Sequence, residues 1–228
     1  MPVPARVLLF DIDGTLLQSH GVGRRSVTAA LEALVGGTFD FSDVTFSGKT
    51  DPQIFREVLD AAAEAGLDVD GATPEAFADL YHREMTGRLP EATVEALPGA
   101  VDLVRRLHGA DAEMGLLTGN MEPIAYDKVG RIGLGRGEFP FGAFGSDHHD
   151  RNALPEIGAA RAAERFGRAV AASDLVIIGD TPRDVACARA VGATAVAVAT
   201  GRYDAEALRE ADLVLDTLEG FDVAALPS

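Results

Sequence analysis

Positive charge is scarce in this chain: 20 Lys and Arg stand against 36 Asp and Glu in 228 residues, a formal net charge of −16. Such a field repels polyanions, which argues against nonspecific nucleic-acid binding and against docking on an anionic membrane. Cysteine is scarcer still. Cys187 stands alone, so no intrachain disulfide can form, and its setting in the helix-like run 184–191 suggests ordinary packing without redox chemistry. Long hydrophobic runs are missing as well: no segment approaches the ~20 apolar residues that span a bilayer, and the N-terminus shows no basic region followed by a hydrophobic stretch. A cytoplasmic location is therefore expected. No internal repeat, heptad array or low-complexity tail is present, and the length suffices to bury a substantial core as one large domain or two smaller ones.

What is there begins with Val7-Leu8-Leu9-Phe10-Asp11-Ile12-Asp13-Gly14-Thr15-Leu16-Leu17. An apolar, strand-like run ends abruptly in two acids one residue apart. Alternation along an extended backbone points Asp11 and Asp13 the same way, so two carboxylates can share one task at the strand's carboxyl edge, and such closeness invites a divalent cation. Gly14 permits the tight turn that must follow, and Thr15 offers a hydroxyl and an amide to an arriving anion. The alternative is a buried strand followed by an acidic turn, since Asp-Gly is a common turn former. Two further strand-like runs weigh against it: Leu116-Leu117 leads into Thr118-Gly119-Asn120, and Leu175-Val176-Ile177-Ile178 into Gly179-Asp180-Thr181-Pro182-Arg183-Asp184. In an open parallel sheet such ends collect along one edge, where ligands bind.

These motifs resemble the haloacid dehalogenase superfamily, whose hallmark is Asp-x-Asp-Gly-Thr at the first strand. Asp11 to Thr15 fit its first motif, Thr118 its second, and Gly179-Asp180 with Asp184 its fourth, in order and across nearly the whole chain. The resemblance implies that Asp11 takes a phosphoryl group as nucleophile, that Asp13 is the general acid and base, and that Asp180 and Asp184 join in holding Mg2+. It also implies a Rossmann-like, doubly wound parallel core with an inserted helical cap, of the phosphoglycolate phosphatase-like kind. An Asp at position 13 distinguishes phosphatases and phosphomutases from the family's dehalogenases, phosphonate-cleaving enzymes and ion pumps.

The chemistry of the residues agrees. An aspartyl nucleophile splits one displacement into two, but a carboxylate attacking a phosphate dianion needs a cation, fixed donors and a basic side chain around it. Magnesium suits Asp11, Asp180 and the backbone carbonyl of Asp13. Thr118, Gly119, Asn120 and the loop amides can take the remaining phosphate oxygens. A second acid at Asp13 can protonate a leaving alkoxide and later activate water.

The family's third motif is a basic residue near a helix start, and the usual Lys-Pro pair is missing. The chain has two lysines. Lys128 is expected on the helix after Thr118, facing away from the strand edge, and Lys49 falls far earlier. Arg151, ahead of a helical run at 153–166, is the candidate, with a solvent-facing helix-start arginine as the alternative. The neighbouring His148 and His149 point apart on most backbones and lack a spaced partner, so a solvated loop is expected there and not a zinc site.

From residue 102 onward, helical stretches alternate with apolar strands near 112–117, 141–144, 174–178, 194–198 and 213–215, the pattern of a parallel sheet covered on both faces. Between the first strand and Leu97 the pattern is helical, near 23–35, 52–65 and 74–89, with no convincing strand. Thr73-Pro74-Glu75 is a sound helix start, and Leu97-Pro98-Gly99 marks the return to the sheet. The expected organisation is thus a core of residues 1–17 and 95–228 with a cap of residues 18–94. The loop Phe46-Ser47-Gly48-Lys49-Thr50-Asp51-Pro52 is the most lid-like: Gly48 allows close approach, and Lys49 either reaches an anionic substrate or stays in solvent. Gln18, Ser19 and His20 lie near the expected hinge.

The reading is a Mg2+-dependent phosphatase of a small phosphorylated metabolite, phosphoglycolate or a sugar phosphate by family analogy. Its rivals are a phosphomutase using the same residues and a catalytically silent phosphate-binding protein. A monomer and a homodimer are both compatible with the acidic surface.

Overall fold

The computed structural model describes residues 6–226. A six-stranded parallel sheet is built from β1 (Val7–Phe10), β4 (Met114–Thr118), β5 (Gly142–Phe144), β6 (Leu175–Gly179), β7 (Thr194–Val198) and β8 (Leu213–Leu215), in the order β5-β4-β1-β6-β7-β8. The first strand therefore lies inside the sheet, with Leu9 opposite Gly115 on one side and Ile177 on the other. Period-two alternation sorts these strands onto two cores. Leu8, Phe10, Leu116, Val176, Ile178, Val196 and Val198 face one cluster, and Val7, Leu9, Leu117, Leu175, Ile177, Ala195 and Ala197 face the other. Helices cover both faces: α4 (Ala100–Gly109), α6 (Leu154–Phe166) and α7 (Pro182–Ala190), with α5 (Glu122–Gly130) following β4. The α/β, doubly covered parallel architecture is as the alternation implies. Beta4 starts at Met114, two residues after its apolar run begins, where its pairing with Leu8 of β1 begins.

Three helices, α1 (Val22–Val35), α2 (Asp51–Glu64) and α3 (Pro74–Arg88), form a separate cluster around Phe55, whose ring lies 5.2 Å from that of Phe77 and 5.0 Å from that of Tyr81. Their starts follow from local chemistry: Thr50 Oγ1 accepts from the Gln53 amide at 3.3 Å and Thr73 Oγ1 from the Ala76 amide at 3.1 Å, each cap followed within two residues by proline. Helix α5 joins the two bodies. Its Ile124 packs into the helical cluster, while Ala125 and Val129 belong to the sheet's core.

One expectation is corrected. Beta2 (Leu17–Gln18) and β3 (Glu95–Ala96) form a short antiparallel ribbon where the chain leaves and re-enters the sheet. Two residues are too few to show a period, and their partners lie far apart in sequence, so the pattern alone does not reveal them.

Candidate active site

The carboxyl ends of β1, β4 and β6 open into one cavity of about 470 Å3, closed on its other side by residues of α1, α2 and α3 and of the 46–50 loop. Asp11 follows β1, Asp180 follows β6, and Asp184 sits in the first turn of α7, where Thr181 and Asp184 cap each other. All three acids are buried, and their carboxylate oxygens lie within 4.8 Å of one another. Arg151, in a short turn of 3-10 helix before α6, runs a guanidinium nitrogen 3.2 Å from Asp11 Oδ1 and 2.5 Å from Asp184 Oδ1. Its Nε is buried without a hydrogen-bond partner among the described residues.

Three acids face one guanidinium, and the imbalance is visible in the proton affinities of Asp11 and Asp180. Burial, opposed by Arg151 and aided by Asp184 and Asp13, pushes Asp11 up to about 6. Burial with the charges of Asp11 and Asp184 pushes Asp180 up to about 9. Burial opposes the charge on Arg151, yet Asp184 and Asp11 hold its proton above the ordinary arginine range. Such a set of oxygen donors, over-rich in negative charge, fits a hard divalent cation. Glycine at position 14 lets the backbone pass this cluster: a Cβ there, at φ 87°, would fall 2.3 Å from Asp180 Oδ2.

Asp13 faces the same cavity in the opposite environment. Its Oδ2 accepts from Lys128 Nζ at 2.6 Å and from Asn120 Nδ2 at 2.9 Å, and its Oδ1 from Ser19 Oγ at 3.0 Å. Burial would raise its carboxyl, but Lys128 and these hydrogen bonds outweigh it and hold Asp13 below the usual carboxylate range. The expectation that Lys128 faces away from the strand edge is thus corrected. Lys128 is 4% exposed, spans back along α5 and also donates to Asn120 Oδ1 at 2.7 Å. An eight-residue separation from Asn120 is two helical turns after a loop, a spacing that carries no signal until the loop's shape is known.

The remaining candidates gather here too. Thr15 donates to Asp180 Oδ1 at 3.4 Å, and Thr118 Oγ1 accepts from Asn120 Nδ2 at 2.9 Å. Gly119 lets the lid-like loop dock: a Cβ there would lie 2.0 Å from Lys49 O, and Gly119 O accepts from the Asp51 amide at 2.7 Å. Lys49 lines the cavity, but its ammonium is held by Glu57 and neither stands in solvent nor reaches the acids. Ser19, Lys128, Asp51 and Tyr81 are cavity residues to which the sequence motifs assigned no role. His148 and His149 stack their rings at 4.7 Å outside the three-acid cluster. Cys187 is buried, donates to Arg151 O at 3.3 Å, and burial pushes its thiol up to about 12.

A parallel sheet that delivers an acid cluster able to hold a metal ion and a separately paired acid to one cavity is the working edge of an α/β enzyme. A family model of haloacid dehalogenase-like hydrolases matches residues 5–192, and the chain belongs to that family. Hexitol phosphatase A of Escherichia coli (strain K12) is 26% identical over 235 residues, covering 96% of this chain and 94% of that protein. Phosphoglycolate phosphatase of Pseudomonas fluorescens is 28% identical over 219 residues, covering 93% and 77%. Among solved structures, CbbY from Rhodobacter sphaeroides in complex with phosphate has the same fold, with a TM-score of 0.78 at 19% identity over 97% of this chain and 99% of that chain. The chain is a phosphoric monoester hydrolase. Among the described residues no helix is long and apolar enough to cross a membrane.

Proposed function

We propose that this hydrolase is a magnesium-dependent phosphatase of a small phosphorylated metabolite, with Asp11 as nucleophile and Asp13 as acid and base. The observation that carries the reading is the contrast between two acids at one strand end: Asp11 lies among the carboxylates of Asp180 and Asp184 beside Arg151, while Asp13 Oδ2 accepts from Lys128 Nζ at 2.6 Å and from Asn120 Nδ2 at 2.9 Å. Environments that push paired acids apart assign them different roles. Asp11, Asp180 and Asp184, with the Asp13 carbonyl as a further candidate, would hold Mg2+, whose positive charge would let a carboxylate and a phosphate approach.

The chain's own residues then do the following. Arg151 fixes Asp11 by its ion pair, and Gly14, Thr118, Gly119 and Asn120 line the space the phosphoryl group would occupy. The Asp11 carboxylate attacks phosphorus, the ester P–O bond breaks, and the leaving oxygen takes a proton from Asp13, whose protonation the incoming negative charge favours. Water attacks the aspartyl phosphate, its proton passes to Asp13, and the bond to Asp11 breaks to release inorganic phosphate. We take residues 18–94 as the lid over a core of residues 1–17 and 95–228, excluding bulk water while the acyl phosphate exists. The test is phosphate release from p-nitrophenyl phosphate and a metabolite panel, with magnesium and with chelator, for the native chain and Asp11→Asn. Turnover should require magnesium and fall by at least about 10³-fold in the variant; chelator-resistant turnover, or an active Asp11→Asn, would overturn the assignment.

A further inference from the structure

The lid side of the cavity carries two polar groups that the phosphoryl chemistry leaves unused. Asp51, the first residue of α2, is buried and lines the cavity; its Oδ2 accepts from the Met121 amide at 2.9 Å, while Oδ1 has no donor among the described residues. Tyr81, on α3, is 2% exposed, lines the same cavity and makes no hydrogen bond through its hydroxyl among the described residues. Phe55 and its neighbours hold the Tyr81 ring in place. Burial, together with the charges of Asp51 and Asp13, keeps the phenol's proton firmly on, so the group offered is a neutral hydroxyl. The Tyr81 hydroxyl and Asp51 Oδ1 are thus left with hydrogen-bonding capacity that a ligand in the cavity can complete.

The cations around this wall are already engaged. Lys128 is held between Asp13 and Asn120, and Lys49 by Glu57. Arg24 donates to Val44 O at 2.7 Å and lies over the Phe46 ring at 4.2 Å. Arg202 stands at the other end, next to Gly201, where a Cβ would fall 1.7 Å from Asp180 Oδ2. We propose that the Asp51–Tyr81 wall receives the leaving group, and that this group is an uncharged, hydroxyl-bearing carbon skeleton, as in a sugar or polyol monophosphate. A substrate hydroxyl can donate to Asp51 Oδ1 and accept from Tyr81. A carboxylate, or the second phosphate of a bisphosphate, would instead meet the Asp51 carboxylate, whose nearby cation Lys128 is already committed to Asp13 and Asn120. The same wall therefore disfavours a phosphomutase, which must house a bisphosphate during turnover.

This inference rests on the phosphatase reading, so the experiment separates the two. Steady-state kinetics are run on sorbitol 6-phosphate and phosphoglycolate, with p-nitrophenyl phosphate as a general probe, for the native chain, Asp51→Asn and Tyr81→Phe. The readout is the ratio of kcat/KM for sorbitol 6-phosphate to that for phosphoglycolate, measured on one preparation and so independent of the folded fraction. The native ratio should exceed about 10, and it should shrink by about 10-fold in each variant, through gain on phosphoglycolate in Asp51→Asn and loss on the polyol ester in Tyr81→Phe. A native preference for phosphoglycolate, or a ratio unmoved by both substitutions, would overturn the proposal. A native chain that leaves p-nitrophenyl phosphate intact would strike the phosphatase reading itself.

Discussion

Asp180→Asn should stabilise the metal-free protein while disabling its ion site. Asp180 is 3% exposed, and burial with the charges of Asp11 and Asp184 raises its carboxyl from 3.8 to about 9. The folded chain must therefore hold a proton at pH 7 that the unfolded chain gives up, which costs up to about 4 kcal/mol. The sign follows from a raised folded value. The cost is absent below about pH 4, grows as pH rises, and levels off above about pH 9. Asparagine is neutral in both states and keeps an oxygen for the Thr15 hydroxyl, which lies 3.4 Å from Asp180 Oδ1. With part of the gain offset by side-chain relaxation, a net of about 2 kcal/mol is expected at pH 7, a rise in Tm of about 4–8 °C for a chain of this length. The assay is thermal unfolding with chelator between pH 5 and 8, repeated with magnesium. The variant's advantage should widen with pH in chelator, and magnesium should stabilise the native chain more than the variant. A variant less stable than the native chain at pH 7 in chelator, or a pH-independent difference, would refute the charge-imbalance argument.

Other perturbations probe other parts of the molecule. Lys128→Met removes the charge 2.6 Å from Asp13 and should lower kcat by about 10²-fold with KM little changed, read from steady-state kinetics. Gly201→Ala forces a methyl onto Asp180 and should weaken magnesium affinity at least about 10-fold by calorimetric titration; unchanged affinity would remove Asp180 from the ion site. Phe77→Ala opens a hole beside Phe55 in the helical cluster and should cost about 3–5 kcal/mol in urea unfolding.

The parallel sheet was legible because each strand is an apolar run ending in chemistry, and because alternation in Leu8, Leu9 and Phe10 already separates two faces. Helix starts were legible where a Thr cap precedes proline, as at Thr50 and Thr73. The β2–β3 ribbon was not, since its four residues pair across the whole helical segment between them. Lys128 was misjudged for a similar reason: helical spacing gives the direction of a side chain around its own axis, not which acid waits there.

The amino-acid sequence by itself determined the order of the strands' chemical endings, the two acids at Asp11 and Asp13, and the family to which the chain belongs. These are local facts, written in consecutive residues whose backbone period sets their facing. Only the tertiary structure decided the environments. It put Arg151 between Asp11 and Asp184, Lys128 against Asp13, and Asp51 with Tyr81 across the cavity, partners tens of residues apart in the chain. Proton affinity and ligand preference depend on burial and on charges a few ångströms away, and those distances exist only once the chain has packed.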